Sequence, residues 1–181
     1  MTAYISILRG INVSGQKKIL MADLKTLYEK LGFTNVATYI QSGNVVFKAD
    51  KKTGENLAIN IEQAILKKYK FDVPVIVRTE DEMKKIVTLN PFAKEKKIDI
   101  EKLHVTFLAE IPAPENANSI GQIAFPPDRF VLIGREVYLH CPVSYGETKL
   151  SNKFFESKLK VTATTRNWKT VNTLAEMAGT I

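Results

Sequence analysis

Cysteine is nearly absent from this 181-residue chain: Cys141 stands alone, so no disulfide can form within it. That excludes an internal disulfide framework and makes a reducing, cytoplasmic setting the expectation. Histidine is almost as scarce, with only His104 and His140. Neither has neighbouring ligands at metal-binding spacing, so no metal centre is expected. No apolar run approaches the roughly 18 residues of a membrane-spanning helix. The N-terminal segment lacks the basic and apolar regions of a secretory leader. Neither a membrane nor secretion is expected.

Nucleotide-binding signatures are missing too. Residues 10–18 approach a Walker A loop, with Gly10 and Gly15 at the right separation. The lysine comes one residue late, however, and Lys18 stands where a Ser or Thr should bind Mg²⁺. No G-x-G-x-x-G follows a strand. An RNA-recognition pattern is absent from Asn44-Val45-Val46-Phe47-Lys48, which leaves Tyr4 as a single candidate stacking residue.

What is present is an ordinary globular composition, 45% apolar and 25% charged, with a net charge of +7. The excess leans to the first half, +5 over residues 1–91 against +2 over 92–181. A basic balance favours anionic partners, small phosphorylated molecules or nucleic acid. Net charge argues solubility before it argues a site, however. Oligomeric state and cofactors are left unknown.

Residues 4–8 read as a strand, 9–20 as a loop and 21–31 as a helix with Leu24, Leu27, Tyr28 and Leu31 on one face. Residues 36–40 and 45–48 read as short strands about a tight Ser42-Gly43 turn. A helix over 55–68 and a strand over 73–78 complete a βαββαβ order, that of a ferredoxin-like unit. Thr79 and Glu82 have the spacing of a capping box opening another helix, which Pro91 closes. The second half repeats the order: strand 102–108, a proline-bearing loop with a short helix near 115–120, a hairpin over 130–133 and 136–141, a helix over 148–159, and a short extended piece over 161–163. A last helix is expected over about 165–178. The fold class is thus α+β: two ferredoxin-like subdomains with mainly antiparallel sheets and an extra C-terminal helix. The expected division is 1–90 and 99–181. No residue-level repeat links the halves.

In a ferredoxin-like order the first and third strands are adjacent and antiparallel. The end of the first then lies beside the hairpin joining the second and third. Arg9, Gly10 and Asn12 are thereby expected beside Gln41, Ser42 and Asn44. Arg9 can clamp a phosphate or carboxylate, and glycine lets main-chain N–H groups approach a ligand. The same residues also serve turns and strand ends. Lys149 and Arg166 are expected near the starts of two helices, where a cation opposes the dipole. Either a bound anion or an internal carboxylate, Glu147 for instance, would offset that. No convincing general base or nucleophile appears, and Glu147 and His140 come nearest. Cys141, in phase with Val137 and Leu139, reads as a core residue, and His104 as one on the polar face of a strand.

Leu8-Arg9-Gly10-Ile11-Asn12-Val13, Met21-Ala22-Asp23-Leu24, Leu31-Gly32-Phe33 and Tyr39-Ile40-Gln41-Ser42-Gly43-Asn44-Val45-Val46-Phe47 resemble the opening signature of the bacterial Domain of Unknown Function 1697 family. Asn90-Pro91-Phe92 resembles its middle motif, and Tyr138-Leu139-His140, Lys149-Leu150, Ala163-Thr164 and Arg166-Asn167-Trp168 its closing one. The chain departs from the pattern at Ser14, where Gly is usual, and at Leu20, where Pro is usual. The resemblance implies an α+β fold and a bacterial cytoplasmic setting, and no activity. It adds Asn167 to the candidate ligand-binding residues and draws attention to Arg9, Asn12, Gln41, Ser42, Asn44, Lys149 and Arg166. The leading expectation is a binding protein or enzyme for a small anionic, phosphorylated ligand. A basic nucleic-acid-binding module and a protein-interaction module are the alternatives.

Overall fold

The computed structural model describes all residues, Met1–Ile181. Two compact units emerge: residues 1–85 with 173–181, and residues 86–172. No helix is long and apolar enough to cross a membrane.

The first unit contains β1 (Thr2–Leu8), α1 (Met21–Lys30), β2 (Thr34–Tyr39), β3 (Asn44–Ala49), α2 (Gly54–Tyr69) and β4 (Val75–Thr79). Its sheet runs β2-β3-β1-β4, and every neighbouring pair is antiparallel. β1 is central and buried from Ala3 to Leu8, which is why it is apolar on both faces except at Ser6. Leu24, Leu27 and Tyr28 of α1 and Leu57, Ile61 and Ile65 of α2 fall at helical spacing and are buried. Thr53 caps α2 by accepting from the Asn56 N–H.

An aromatic cluster fills this core. Phe47 stacks on Phe33 at 4.6 Å and meets Tyr28 edge-on at 5.3 Å. Tyr4 stacks on Phe47 and is 1% exposed, with its hydroxyl donating to the Lys52 carbonyl. The reading of Tyr4 as a candidate stacking residue is therefore corrected: its ring belongs to the core. The Tyr28 hydroxyl shares a 2.7 Å hydrogen bond with Ser6, which satisfies two buried polar groups at once.

The second unit repeats this plan with β5 (Leu103–Leu108), α4 (Pro114–Ile120), β6 (Arg129–Ile133), β7 (Glu136–His140), α5 (Asn152–Leu159) and β8 (Ala163–Asn167). Its sheet runs β6-β7-β5-β8, again antiparallel throughout. Leu108, Val137, Leu139, Cys141, Phe155 and Leu159 form its core. Cys141 is the buried core residue its phase predicts, and its thiol is pushed up by burial. His104 is corrected. It shares a sheet face with Leu139, its cross-strand partner and a core residue, and its ring stacks on Tyr145 at 4.6 Å.

α3 (Glu80–Leu89) follows β4, and α6 (Trp168–Thr180) follows β8. Residues 163–167 are a strand, where a helix from about 165 was expected. Thr162, Thr164 and Thr165 are β-branched, and antiparallel pairing with β5 outweighs helix formation there. α5 likewise begins only at Asn152, capped by Ser151, whose hydroxyl accepts from the Phe154 N–H. Arg166 thus lies in a β-ladder and Lys149 ahead of a cap, so neither occupies a helical turn.

Register alignment reveals a correspondence invisible in the linear sequence. Arg78 faces Ile5 across β4 and β1, as Arg166 faces Val105 across β8 and β5. Both arginines are buried, and each donates Nη1 to the carbonyl of the residue before it, at 3.0 and 2.9 Å. Each is followed by a helix-capping residue, Thr79 or Asn167, whose side chain accepts from an N–H three residues on.

The capping box is present as spaced: Thr79 N–H donates to Glu82 Oε2 at 2.8 Å, and Glu82 N–H to Thr79 Oγ1 at 3.2 Å. Thr79→Ala should lower stability by about 1 kcal/mol in chemical denaturation, and Thr79→Ser should lose much less.

Candidate functional site

The loop after β1 and the turn between β2 and β3 meet at one edge of the first sheet. Leu8 N–H donates to the Gly43 carbonyl at 2.8 Å. Asn12 ties the loop to the turn. Its Nδ2 donates to the Ile19 and Gln41 carbonyls at 3.0 and 2.9 Å, and its Oδ1 accepts from the Ile19 N–H at 2.9 Å. The amide of Asn44, fully buried, closes the turn by donating to the Tyr39 carbonyl and Ser42 Oγ. Arg9, Gly10, Asn12, Gln41, Ser42 and Asn44 are therefore brought to one place. Asn12 and Asn44 spend their side chains on holding it.

The backbone here is unusual. Gly10, Asn12, Ser14, Gly15, Lys17, Ile40 and Gly43 all have positive φ, seven of the thirteen such residues in the chain. Ser14 and Gly15, at 49° and 74°, form the centre of a tight turn bridged between Val13 and Gln16. Ile40 at 49° is a β-branched residue in the left-handed region, a costly conformation, and it is exposed. Gly43 is required sterically as well as conformationally. At φ 89° a Cβ would stand 2.7 Å from Ile11 Cδ1 and 2.9 Å from Leu8 Cβ.

Charge within the two loops themselves is of one sign. Residues 9–22 and 34–49 contain no carboxylate, whereas the loop carries Arg9, Lys17 and Lys18. Arg9 is half-buried, and its N–H donates to the Pro74 carbonyl. Lys17 reaches the main-chain carbonyl of Asp72. Sequence reasoning passed over Lys17 and Lys18 because they fail the Walker register. Their signal is the absence of acids around them. The strain at Ile40 has no sequence signal, since isoleucine does not favour the left-handed region that the closed turn imposes on it.

The remaining candidates lie in the second unit. Lys149 is exposed, its ammonium 5.6 Å from the Phe125 ring centre, beside a hollow of about 420 Å³ lined also by Pro127, Asp128, Val143 and Glu147. Arg166 is 9% exposed and donates to Thr164 Oγ1 as well as to the Thr165 carbonyl. Burial pushes its pKa down to about 10, so it remains charged at neutral pH. Asn167 caps α6 through Thr170 N–H. His140 meets Arg129, which makes a two-point contact to Glu95 at 2.9 Å and lies over Phe92. The Arg129 hydrogen bond holds the Glu95 carboxyl below its usual range.

Two predictions follow from these geometries. Gly43→Ala should cost about 2–4 kcal/mol in denaturant unfolding, combining left-handed strain with a clash against Leu8 and Ile11. The second concerns acid. His104 and His140 are both held below the ordinary imidazole value, first by burial. An unfolded imidazole takes up its proton near about pH 6.5 while the folded one resists it, so the unfolded state binds more protons as pH falls through that value. Stability should fall between about pH 7.5 and about pH 5.5, and replacing both histidines by Gln should flatten the trend in denaturant midpoints.

A solved structure of a conserved bacterial protein from Streptococcus pneumoniae is similar to this chain with a TM-score of 0.73, at 20% identity and covering 98% of each chain. At that identity the likeness concerns the fold. No curated protein matches the sequence. The family model described as Protein of unknown function (DUF1697) matches residues 1–138, and so takes in the whole loop-and-turn edge described above. The chain belongs to the DUF1697 family.

Proposed function

We propose that the edge formed by the loop after β1 and the β2–β3 turn binds a small anionic, phosphorylated ligand. The observation that carries this reading is the concentration of left-handed backbone in two loops that touch and contain cations but no carboxylate. Of these residues Asn12, Ser14, Lys17 and Ile40 are not glycine, and left-handed non-glycine residues cluster at sites whose shape serves a ligand. Left-handed residues also turn successive N–H groups outward, the arrangement that makes anion-binding concavities.

Roles divide accordingly. Arg9 clamps the anion, with Lys17 and Lys18 adding positive potential. Gln41 and Ser42 orient the polar body of the ligand. Asn12 ties the loop to the turn and Asn44 closes the turn itself, so the site is formed before the ligand arrives. No general base stands among these residues. If the ligand is turned over, positioning and electrostatic stabilisation are the means these side chains supply.

The test is a thermal-shift screen of phosphorylated metabolites and nucleotides at low salt. A true ligand at about 100 times its dissociation constant should add about 2.7 kcal/mol of stability. Arg9→Ala should abolish the shift, read against the variant's own unliganded melting point. Hits that bind the variant as tightly as the parent defeat the reading. So does preferential binding of polynucleotide with the steep salt dependence of many phosphate contacts.

A further inference from the structure

β6 is an edge strand protected only by its shortness and by Arg129 at its start. It runs Arg129-Phe130-Val131-Leu132-Ile133, in unbroken register with β7 from Arg129↔His140 to Ile133↔Glu136. It has no bulge, lysine or proline, the devices that blunt sheet edges. The corresponding edge of the first unit, β2, is blunted by a register shift between Thr34 and Ala37 and by Asn35 at φ 50°. β4 and β8, at the opposite edges, are buried along most of their length.

The direction of the free main-chain groups follows from the ladder. Leu108 N–H donates to the Arg135 carbonyl and Cys141 N–H to the Lys102 carbonyl, so odd-numbered residues of 135–141 turn to β5. Glu136, Tyr138 and His140 then turn to β6, where they oppose Ile133, Val131 and Arg129. Phe130 and Leu132 are left to aim their N–H and C=O groups away from the sheet, and no other segment of the chain bonds to them.

We propose that a second copy of this chain pairs with β6 antiparallel to β6, about a two-fold axis at Val131, joining two four-stranded sheets into one of eight. Such an interface is isologous, and it places Phe130 opposite Leu132 of the second copy, so the outward groups bond to each other. Arg129 then faces Ile133 of the second copy, and no like charges oppose. Moving the axis to Leu132 would set Arg129 against Arg135 of the second copy. Moving it to Phe130 would set the Asp128 carboxylate against Leu132. The only charged residue of the strand, Arg129, is already neutralised within its own chain by Glu95 at 2.9 Å. The edge is electrically neutral, which favours self-pairing over capture of a charged peptide. A five-residue ladder buries less than the roughly 800 Å² per partner of a stable complex, so the association is weak and concentration-dependent.

Sedimentation velocity of the full chain across a concentration series tests this. A reversible monomer–dimer equilibrium is expected, and Val131→Lys should weaken it by about fivefold or more by opposing like charges at the axis. A second variant removes the risk that lysine disturbs folding. In the proposed register Val131 occupies a non-hydrogen-bonded pair with its own counterpart, about 4.5 Å between Cα atoms, within disulfide reach. Val131→Cys should therefore form a cross-linked dimer under mild oxidation, and Ile133→Cys should not. A parent chain that stays monomeric with an uncrosslinked Val131→Cys overturns the proposal. Cross-linking of Ile133→Cys as readily as Val131→Cys, or a dimer indifferent to Val131→Lys, overturns it equally.

Discussion

Antiparallel pairing of a central strand with both neighbours governs this molecule. Because β1 runs against β3, the end of one must lie beside the entry to the other. Every feature of the candidate site depends on that adjacency. The Asn12 carboxamide bridges the two loops, Gly43 packs under Ile11, and the cations of residues 9–18 gather at one edge. The same constraint acts in the second unit, where β5 runs against β7 and β8, yet the loops there carry different side chains. The pairing rule fixes where loops meet; residue chemistry decides what the meeting place can do.

Local signals that depend on few residues were legible in the sequence. Helical spacing marks α1 and α2, the Thr79–Glu82 box marks the start of α3, and two glycine-bearing turns mark the hairpins. β8 was legible only as a short extended piece over 161–163; its full extent was not, because its threonines gain their ladder only from β5, almost sixty residues earlier. The matching positions of Arg78 and Arg166 were hidden for a related reason. Their equivalence lies in register across a sheet, which a linear comparison does not see.

At the candidate site, the adjacency of Arg9, Asn12, Gln41, Ser42 and Asn44 could be reasoned from element order alone. The division of labour among them could not. An asparagine that holds a loop and one that holds a ligand look alike in sequence. Only the hydrogen bonds to Ile19, Gln41 and Tyr39 show that Asn12 and Asn44 are committed to the loops. The left-handed Ile40 was equally invisible, because its conformation comes from closing a four-residue turn between Tyr39 and Asn44.

The first unit is made from both ends of the chain, residues 1–85 with residues 173–181. Synthesis delivers those parts at opposite times. The segment carrying β1 to β4 leaves the ribosome early but must wait through the whole of the second unit for the end of α6. During translation, therefore, β1 to β4 are made well before residues 173–181, which belong to the same unit.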